Sequence, residues 1–325
     1  MVLARLCLIN DAAPSVCMRL TPSNESAISA VVPAHRDLPP LLRTLDFLER
    51  CDPRPAEVLV HVDGGSAEIL SSVRARHPAV RLLVSDELLG PGGSRNRLVA
   101  AAKYEWVANF DDDSFPAQVS YFGRVAALID RFPDAAILSA ASHAAEWQTS
   151  NIERVGIFSG CGCVFRKSLF EKLGGFVPLP VAYGMEEVDL SLRTHAAGGL
   201  IIHDPLLRVR HEPLPGRVRD HAAISAAVLA NTALFPALRF PWWLLGFGLY
   251  QILRRIVWMI QLGEGRSVLP GLRRMPQHLW MQREHRKPVP GRTVFSWQLL
   301  RRHPSTLEDG ARLSNAWQED ANWNS

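Results

Sequence analysis

Asn109-Phe110-Asp111-Asp112-Asp113-Ser114 closes the apolar run of residues 104–110 with three adjacent carboxylates. Carboxylates crowded at a strand end repel one another, and a fold holds them there only if something positive offsets the charge. A divalent cation is one candidate. If the segment stays extended, side chains alternate, so Asp111 and Asp113 point to one side and Asp112 to the other. The first and third could then hold a hard, oxygen-liganded ion. A solvated acidic turn explains the same residues, since Asp and Ser are common in turns, and the decision lies with the flanking chain.

Working outward, residues 106–110 read as a strand that follows a helix over 95–103 and a flexible loop, Gly90-Pro91-Gly92-Gly93-Ser94. Residues 80–84 read as a strand, as do 57–62, the latter running into Asp63-Gly64-Gly65-Ser66. Before them, 28–33 form an apolar strand closed by Pro33. Asp37 offers a helix N-cap, Pro39 sits in the first turn, and Leu38, Leu41, Leu42, Leu45 and Leu48 follow at helical spacing. Downstream, 118–132 read as helix, 135–140 and 158–165 as strands, and 168–173 as a short helix stopped by Gly174-Gly175. Residues 183–190 open a helix running to about 197, with its acids in the first turn where the helix dipole favours them. Strands at 200–203 and 207–211 end at His211-Glu212-Pro213. This alternation predicts an α/β fold with a mixed, mainly parallel sheet flanked by helices. Ligands gather at the carboxyl ends of such strands. Residues 33–35, 63–66 and 111–114 all fall there.

The composition excludes several classes. With 325 residues, 47% apolar and 21% charged, the chain buries a sizeable core and is not disordered. Five scattered cysteines, Cys7, Cys17, Cys51, Cys161 and Cys163, form no disulfide framework and favour a reducing compartment. Residues 1–21 make a poor signal peptide because Asn10 and Asp11 interrupt the apolar run. The formal net charge of +4 hides a polarity: residues 254–302 hold 11 Lys and Arg against 2 acids, while the remainder holds 25 against 30. A basic tail on an acidic body suits an anionic partner. No nucleic-acid motif accompanies the basic residues.

In order, Pro33, Asp63-Gly64-Gly65-Ser66, the loop 90–96, Asp111 to Asp113, Gly174-Gly175-Phe176, Glu186-Glu187-Val188-Asp189-Leu190 and His211 closely resemble family 2-like glycosyltransferases with the GT-A fold. The resemblance covers roughly residues 26–212. It implies that Asp63 contacts the nucleotide, that Pro33, His35 and Arg36 line the base-and-ribose pocket, and that the loop with Gly92 and Arg95 passes the nucleotide. It further implies that Asp111 and Asp113 are the D-x-D carboxylates holding Mn²⁺ or Mg²⁺ against the donor diphosphate, with Asp112 among the donor contacts. His211 resembles a histidine that completes the metal shell, and Glu187 occupies the position of the catalytic base. Two departures stand out: Asp63-Gly64 replaces a common pair of Asp, and Glu187 adds a methylene to the usual Asp, which leaves Glu186 as the alternative base. Read without the family, His211 serves equally as a satisfied loop histidine, His35 is first a structural histidine, and Asp189 is a helix-start hydrogen-bonding partner.

The chemistry agrees with these roles. Expelling a nucleoside diphosphate develops charge that a cation stabilises, and an acceptor hydroxyl must lose a proton as it attacks an oxocarbenium-like centre. One base and no enzyme nucleophile predict inversion. The expected activity is a metal-dependent, inverting sugar transfer from a nucleotide sugar to a glycan or lipid-linked acceptor, in cell-envelope or polysaccharide synthesis. The alternatives are a nucleotidyltransferase, which would need a glycine-rich basic loop where Ala34-His35-Arg36 stands, and a non-catalytic nucleotide-sugar-binding protein.

The expected organisation is an N-terminal extension over 1–26, a catalytic domain over 27–216, an apolar and basic helical tail over 217–303 and a flexible polar end over 304–325. In the tail, Pro236, Arg239, Pro241 and Arg254-Arg255 divide the apolar run, so neither piece reaches the roughly 20 residues that span a bilayer. Trp242, Trp243, Tyr250 and Trp258 suit the headgroup level, and the basic residues suit anionic lipid. The tail is therefore expected to dock on the cytoplasmic face of the membrane, with a helical subdomain packed on the body as the other reading. Trp147 marks a candidate acceptor loop.

Overall fold

A computed structural model describes residues 25–142, 146, 148–181, 183–212 and 220–309. Trp147 and most of the expected N-terminal extension lie outside the described residues. The body runs β1 (Glu25–Ala34), α1 (Leu38–Arg50), β2 (Arg54–Asp63), α2 (Ala67–Arg76), β3 (Arg81–Ser85), α3 (Gly90–Ala101), β4 (Trp106–Asn109) and β5 (Ser114–Pro116). It continues through α4 (Tyr121–Arg131), β6 (Ala135–Ala141), β7 (Asn151–Arg154), β8 (Cys163–Arg166), α5 (Lys167–Leu173), α6 (Glu186–Ala196) and β9 (Leu200–His211). The tail adds α7 (His221–Arg239), α8 (Leu245–Gln261), α9 (Val268–Met281), α10 (Gly291–Arg302) and β10 (Ser305–Asp309).

The strands lie in the order β10-β7-β9-β6-β8-β4-β1-β2-β3, with β5 paired to β9. β1 is parallel to β2 and β4, β2 to β3, and β6 to β9, while β8 runs antiparallel between β4 and β6. Because β1, β2 and β4 point the same way, Ala34, Asp63 and Asn109 finish on one rim. Period-two alternation sorts the two faces. Ile28, Ala30 and Val32 of β1 pack with Leu41 and Leu45 of α1 and Phe122 and Val125 of α4, whereas Val31 joins Leu98 and Val99 of α3 and Leu190 of α6. Both faces of the sheet are thus buried, as the apolar strand runs require.

Several boundaries differ from the sequence reading. Residues 90–94 are not a loop but the first turn of α3, which starts under backbone anchors described below. Asp37 holds the N-cap position of α1 but makes no side-chain capping bond; prolines fill the first turn. Residues 200–211 form one strand, and the apparent gap at Pro205 is an irregularity in which pairing jumps from Ala140↔Asp204 to Ala141↔Arg208.

The tail is built onto the body. Leu234, Phe235, Leu238 and Phe240 of α7 and its C-terminal flank pack with Leu192 of α6 and with Val294 and Trp297 of α10. Trp297 is fully buried, and its Nε1–H donates to the Gly156 carbonyl at 2.5 Å. Asp189 is the polar pin of this junction. It accepts from Arg193 at 2.6 and 2.8 Å and from Arg239 of α7. Pro236 does not end α7, which reaches 19 residues; it is the helix among the described residues that is long and apolar enough to cross a membrane, with 56% of that window buried inside the protein. The polar end expected to be loose contributes β10, which pairs with β7 and is clasped by Arg131–Glu308 at 2.7 Å.

Candidate active site

The acidic cluster is a tight turn and not an extended strand end. The Ser114 N–H donates to the Asp111 carbonyl at 3.1 Å, and the Asp111 N–H donates to Ser114 Oγ at 2.7 Å. Thr44 of α1 donates from Oγ1 to the Asp112 carbonyl at 3.0 Å, tying the turn to the body. Alternation along a strand therefore does not set the carboxylate directions; hydrogen bonding within the turn does.

The turn leads into β5, whose antiparallel pairing sets Ser114 opposite His211 of β9, while the Glu212 N–H donates to the Asp113 carbonyl at 2.9 Å. That register delivers a side chain from about 100 positions downstream to the acidic turn. His211 Nε2 lies 3.0 Å from Asp113 Oδ1. One ligand atom from each of Asp111, Asp113 and His211 falls within 4.8 Å of the others. Two carboxylates and an imidazole converging so closely form a donor set that fits a divalent ion such as Mn²⁺.

On the opposite side of the rim, Asp63 at the end of β2 accepts from the Leu89 N–H at 2.9 Å and the Gly90 N–H at 3.0 Å, and from Ser85 Oγ at 3.1 Å. A carboxylate at the amino end of α3 satisfies donors that the helix leaves unpaired. Gly90 adopts φ +72°, and a Cβ there would strike the Leu179 carbonyl, so the segment before α6 closes directly over this turn. Gly92 is bare for a related reason: a Cβ would collide with Glu186 Oε1.

Arg95, one turn further along α3, is the hub. Its Nη2 lies 2.5 Å from Asp111 Oδ1, its Nη1 pairs with Glu186 Oε2, and its Nε donates to Asn109 Oδ1 at 3.2 Å. Desolvation opposes its charge, yet Glu186, Asp111 and Glu187 more than offset this and raise its pKa. Asn109 is buried and spends its Nδ2 on the Gly160 carbonyl at 2.7 Å. The two glutamates differ. Glu186 is buried, and burial pushes its carboxyl up to about 7 although Arg95 pulls the other way. Glu187 is only partly covered and has no ion pair among the described residues; burial raises its pKa too, with Asp111 adding to the effect.

A cavity of 680 Å³ opens where these groups meet. Of the residues singled out in the sequence, it is lined by Pro33, His35, Asp63, Arg95, Asp111, Asp112, Asp113, Glu186, Glu187 and His211. Arg36 instead lines a neighbouring groove with His35 and Asp86, and Gly92 lies beneath Glu186 instead of on the wall. His35 turns Nδ1 to the Asp63 carbonyl at 2.8 Å. Tyr183 also lines the cavity, as does Ile224, which was not anticipated, nor was Asn109 as the support of Arg95. Six carboxylates against one guanidinium and two histidines give the cavity a negative field that draws cations.

The family model described as glycosyl transferase family 2 matches residues 29–155. The chain is 30% identical over 254 residues to the N-acetylglucosaminyl-diphospho-decaprenol L-rhamnosyltransferase of Mycobacterium tuberculosis, spanning 63% of this chain and 82% of the relative. Among solved structures, the mannosyltransferase PcManGT from Pyrobaculum calidifontis, in complex with GDP-Man and Mn²⁺, superposes with a TM-score of 0.53 at 19% identity, over 95% of this chain and 91% of that one. GalNAc-T7 with UDP, GalNAc and Mn²⁺ gives 0.52 at 15% identity, over 64% and 48%. Residues 1–349 of S. aureus TarS with UDP-GlcNAc give 0.50 at 17%, over 63% and 66%.

Proposed function

Because the chain belongs to glycosyl transferase family 2 and has the GT-A fold, we propose that it transfers a sugar from a nucleotide-sugar donor to a lipid-linked glycan acceptor, with a bound divalent cation and with inversion at the anomeric carbon. The observation that supports this most is the meeting of Asp111, Asp113 and His211 with Glu187 in one cavity. Asp111, Asp113 and His211 would hold Mn²⁺ or Mg²⁺, which would supply positive charge to the departing diphosphate. Arg95 neutralises Asp111 and Glu186 and keeps both carboxylates in place.

Glu187 is the base in this reading. It faces the cavity without a paired cation, and its raised pKa suits removal of a proton from an attacking hydroxyl. Glu186, held by Arg95 against Gly92, is the positioning partner. Asp63 acts on the donor through what it organises, fixing the turn at Leu89 and Gly90 beside the nucleotide pocket. No nucleophile on the enzyme is required, so the product bond forms on the face opposite the leaving group.

The name of the mycobacterial relative supports a polyprenyl-diphosphate-linked acceptor, and an acceptor of that kind suits cell-envelope synthesis. A surface on α8 supports a site at the cytoplasmic face of the membrane. Leu249, Leu253, Val257 and Ile260 form an exposed stripe at helical spacing, and Trp242, 79% exposed, stands before it. With the neighbouring arginines such a face suits the interface of an anionic bilayer. Replacing Leu253 and Val257 by Glu should abolish co-sedimentation with anionic vesicles.

A donor-hydrolysis screen across nucleotide sugars with Mn²⁺ tests the activity. One donor should be cleaved by the wild type and spared when Asp113 is replaced by Ala. Equal cleavage by both would refute the proposed site.

A further inference from the structure

A second cavity of 340 Å³ lies on the far side of the segment that carries Glu187. Its walls include Gly184, Val188, Trp258 and three arginines, Arg254, Arg255 and Arg301. The arginines come from two helices, α8 and α10. Each guanidinium stands over an aromatic ring: Arg254 over Tyr250 at 5.8 Å, Arg255 over Trp258 at 5.1 Å and Arg301 over Trp297 at 4.7 Å. None has a carboxylate partner among the described residues. Three like charges gathered without an acid repel one another; Arg254 and Arg301 are exposed, whereas Arg255 is half-buried and desolvation lowers its pKa. An anion is the occupant that offsets both effects, and planar guanidiniums match phosphate oxygens in pairs.

The wall between the cavities is thin. Tyr183 and Glu187 face the first cavity, and Gly184 and Val188, their immediate neighbours, face the second. On α7, Ile224 lines the first and Thr232 the second. Those eight residues separate the two by about 12 Å along the helix at the usual rise. A sugar joined to a diphosphate extends over a comparable span. On α8 the arginines lie beside Leu253 and Val257 of the exposed stripe, so an isoprenoid chain leaving a bound diphosphate would run onto an apolar surface.

We propose that the cavity of Arg254, Arg255 and Arg301 is the subsite for the diphosphate of a polyprenyl-linked acceptor, placing the acceptor sugar toward Glu187. This rests on the transferase reading above. The same phosphate chemistry is offered by an anionic phospholipid headgroup, which the experiment separates.

Farnesyl diphosphate is titrated into the full chain in EDTA, so that the acidic cavity has no cation with which to take it. Wild type should bind, inorganic pyrophosphate should compete, and farnesol should bind far more weakly. Arg254→Ala/Arg255→Ala should weaken binding by about a hundredfold, or about tenfold per lost charge-assisted contact. The double Lys variant should recover part of it. Arg301→Gln, on the other helix, should give a comparable loss to one alanine. In turnover, the double alanine variant should raise KM for the lipid-linked acceptor and leave KM for the donor unchanged. The inference is overturned if wild type fails to bind farnesyl diphosphate or binds farnesol as well. It is equally overturned if the variants bind as tightly as wild type, or if they lose only adhesion to phosphatidylglycerol vesicles. Stabilisation of the same proteins by Mn²⁺ with a nucleoside diphosphate reports the donor site independently, so the two readings fail separately.

Discussion

Arg95 Nη2 lies 2.5 Å from Asp111 Oδ1, and the same guanidinium pairs with Glu186. One cation therefore serves the carboxylate turn and the buried Glu186, joining α3 to two elements that sequence places far apart. Removing it leaves buried negative charge uncompensated, which costs about 3–5 kcal/mol. Arg95→Ala should lower unfolding stability by about that amount in chemical denaturation with chelator present. Pairing it with Glu186→Leu should restore part of the loss. A variant as stable as wild type would deny Arg95 this role.

Glu187→Gln should retain donor binding and lose transfer by about 10²–10⁴-fold, the usual worth of a positioned base. Because burial raises the pKa of Glu187, wild-type turnover should fall as pH is lowered through that raised value, where the carboxylate takes up a proton. Kinetics at saturating donor across pH 5–9 test this. Full turnover by Glu187→Gln together with an inactive Glu186→Gln would transfer the base to Glu186.

Glu186 also predicts a trend in stability. Its carboxyl is pushed from 4.5 up to about 7 in the folded protein. Between those values the folded chain keeps a proton that the unfolded chain has released. The group's contribution is thus fully present below 4.5 and is lost as pH rises through about 7. Melting curves with chelator should show Glu186→Gln gaining on wild type as pH climbs from 5 to 8. Parallel curves would contradict the raised pKa.

Asp189 binds Arg193 of its own helix and Arg239 of α7, all three buried. Asp189→Ala should cost about 3–5 kcal/mol, since it strands two guanidiniums at the junction of tail and body. Limited proteolysis should then cut within α7 faster than in wild type. Unaltered cutting would mean that the apolar contacts of Leu234, Phe235 and Trp297 hold the tail unaided.

Much of this was readable from residue order. The strands β1, β2 and β4 are apolar runs closed by Pro33, Asp63 and the acids after Asn109, and parallel pairing alone brings those ends together. The acidic turn stood out because three carboxylates on a strand end need a reason. Its geometry did not follow, because a turn closed by Ser114 mimics an extended end in sequence. Arg95 could not be recognised as the hub: Glu186 lies 91 positions away, and only the close passage of Gly92 brings the two together. The tail was harder still. Pro236 and the paired arginines read as interruptions, whereas packing of Trp297 against Gly156, 141 positions apart, makes the tail part of the body. β10 is polar and short, and only β7 gives it a place.

The central claim is that Asp111, Asp113 and His211 gather a divalent ion for a nucleoside diphosphate. Calorimetric titration of Mn²⁺ with a panel of nucleoside diphosphates into wild type, Asp111→Asn/Asp113→Asn and His211→Ala tests it directly. One nucleotide should bind wild type only when Mn²⁺ is present, stabilising it by about 2.7 kcal/mol at a hundredfold excess over Kd. The double Asn variant should lose that binding and His211→Ala should weaken it. Metal-independent binding of equal strength in all three proteins would contradict the account.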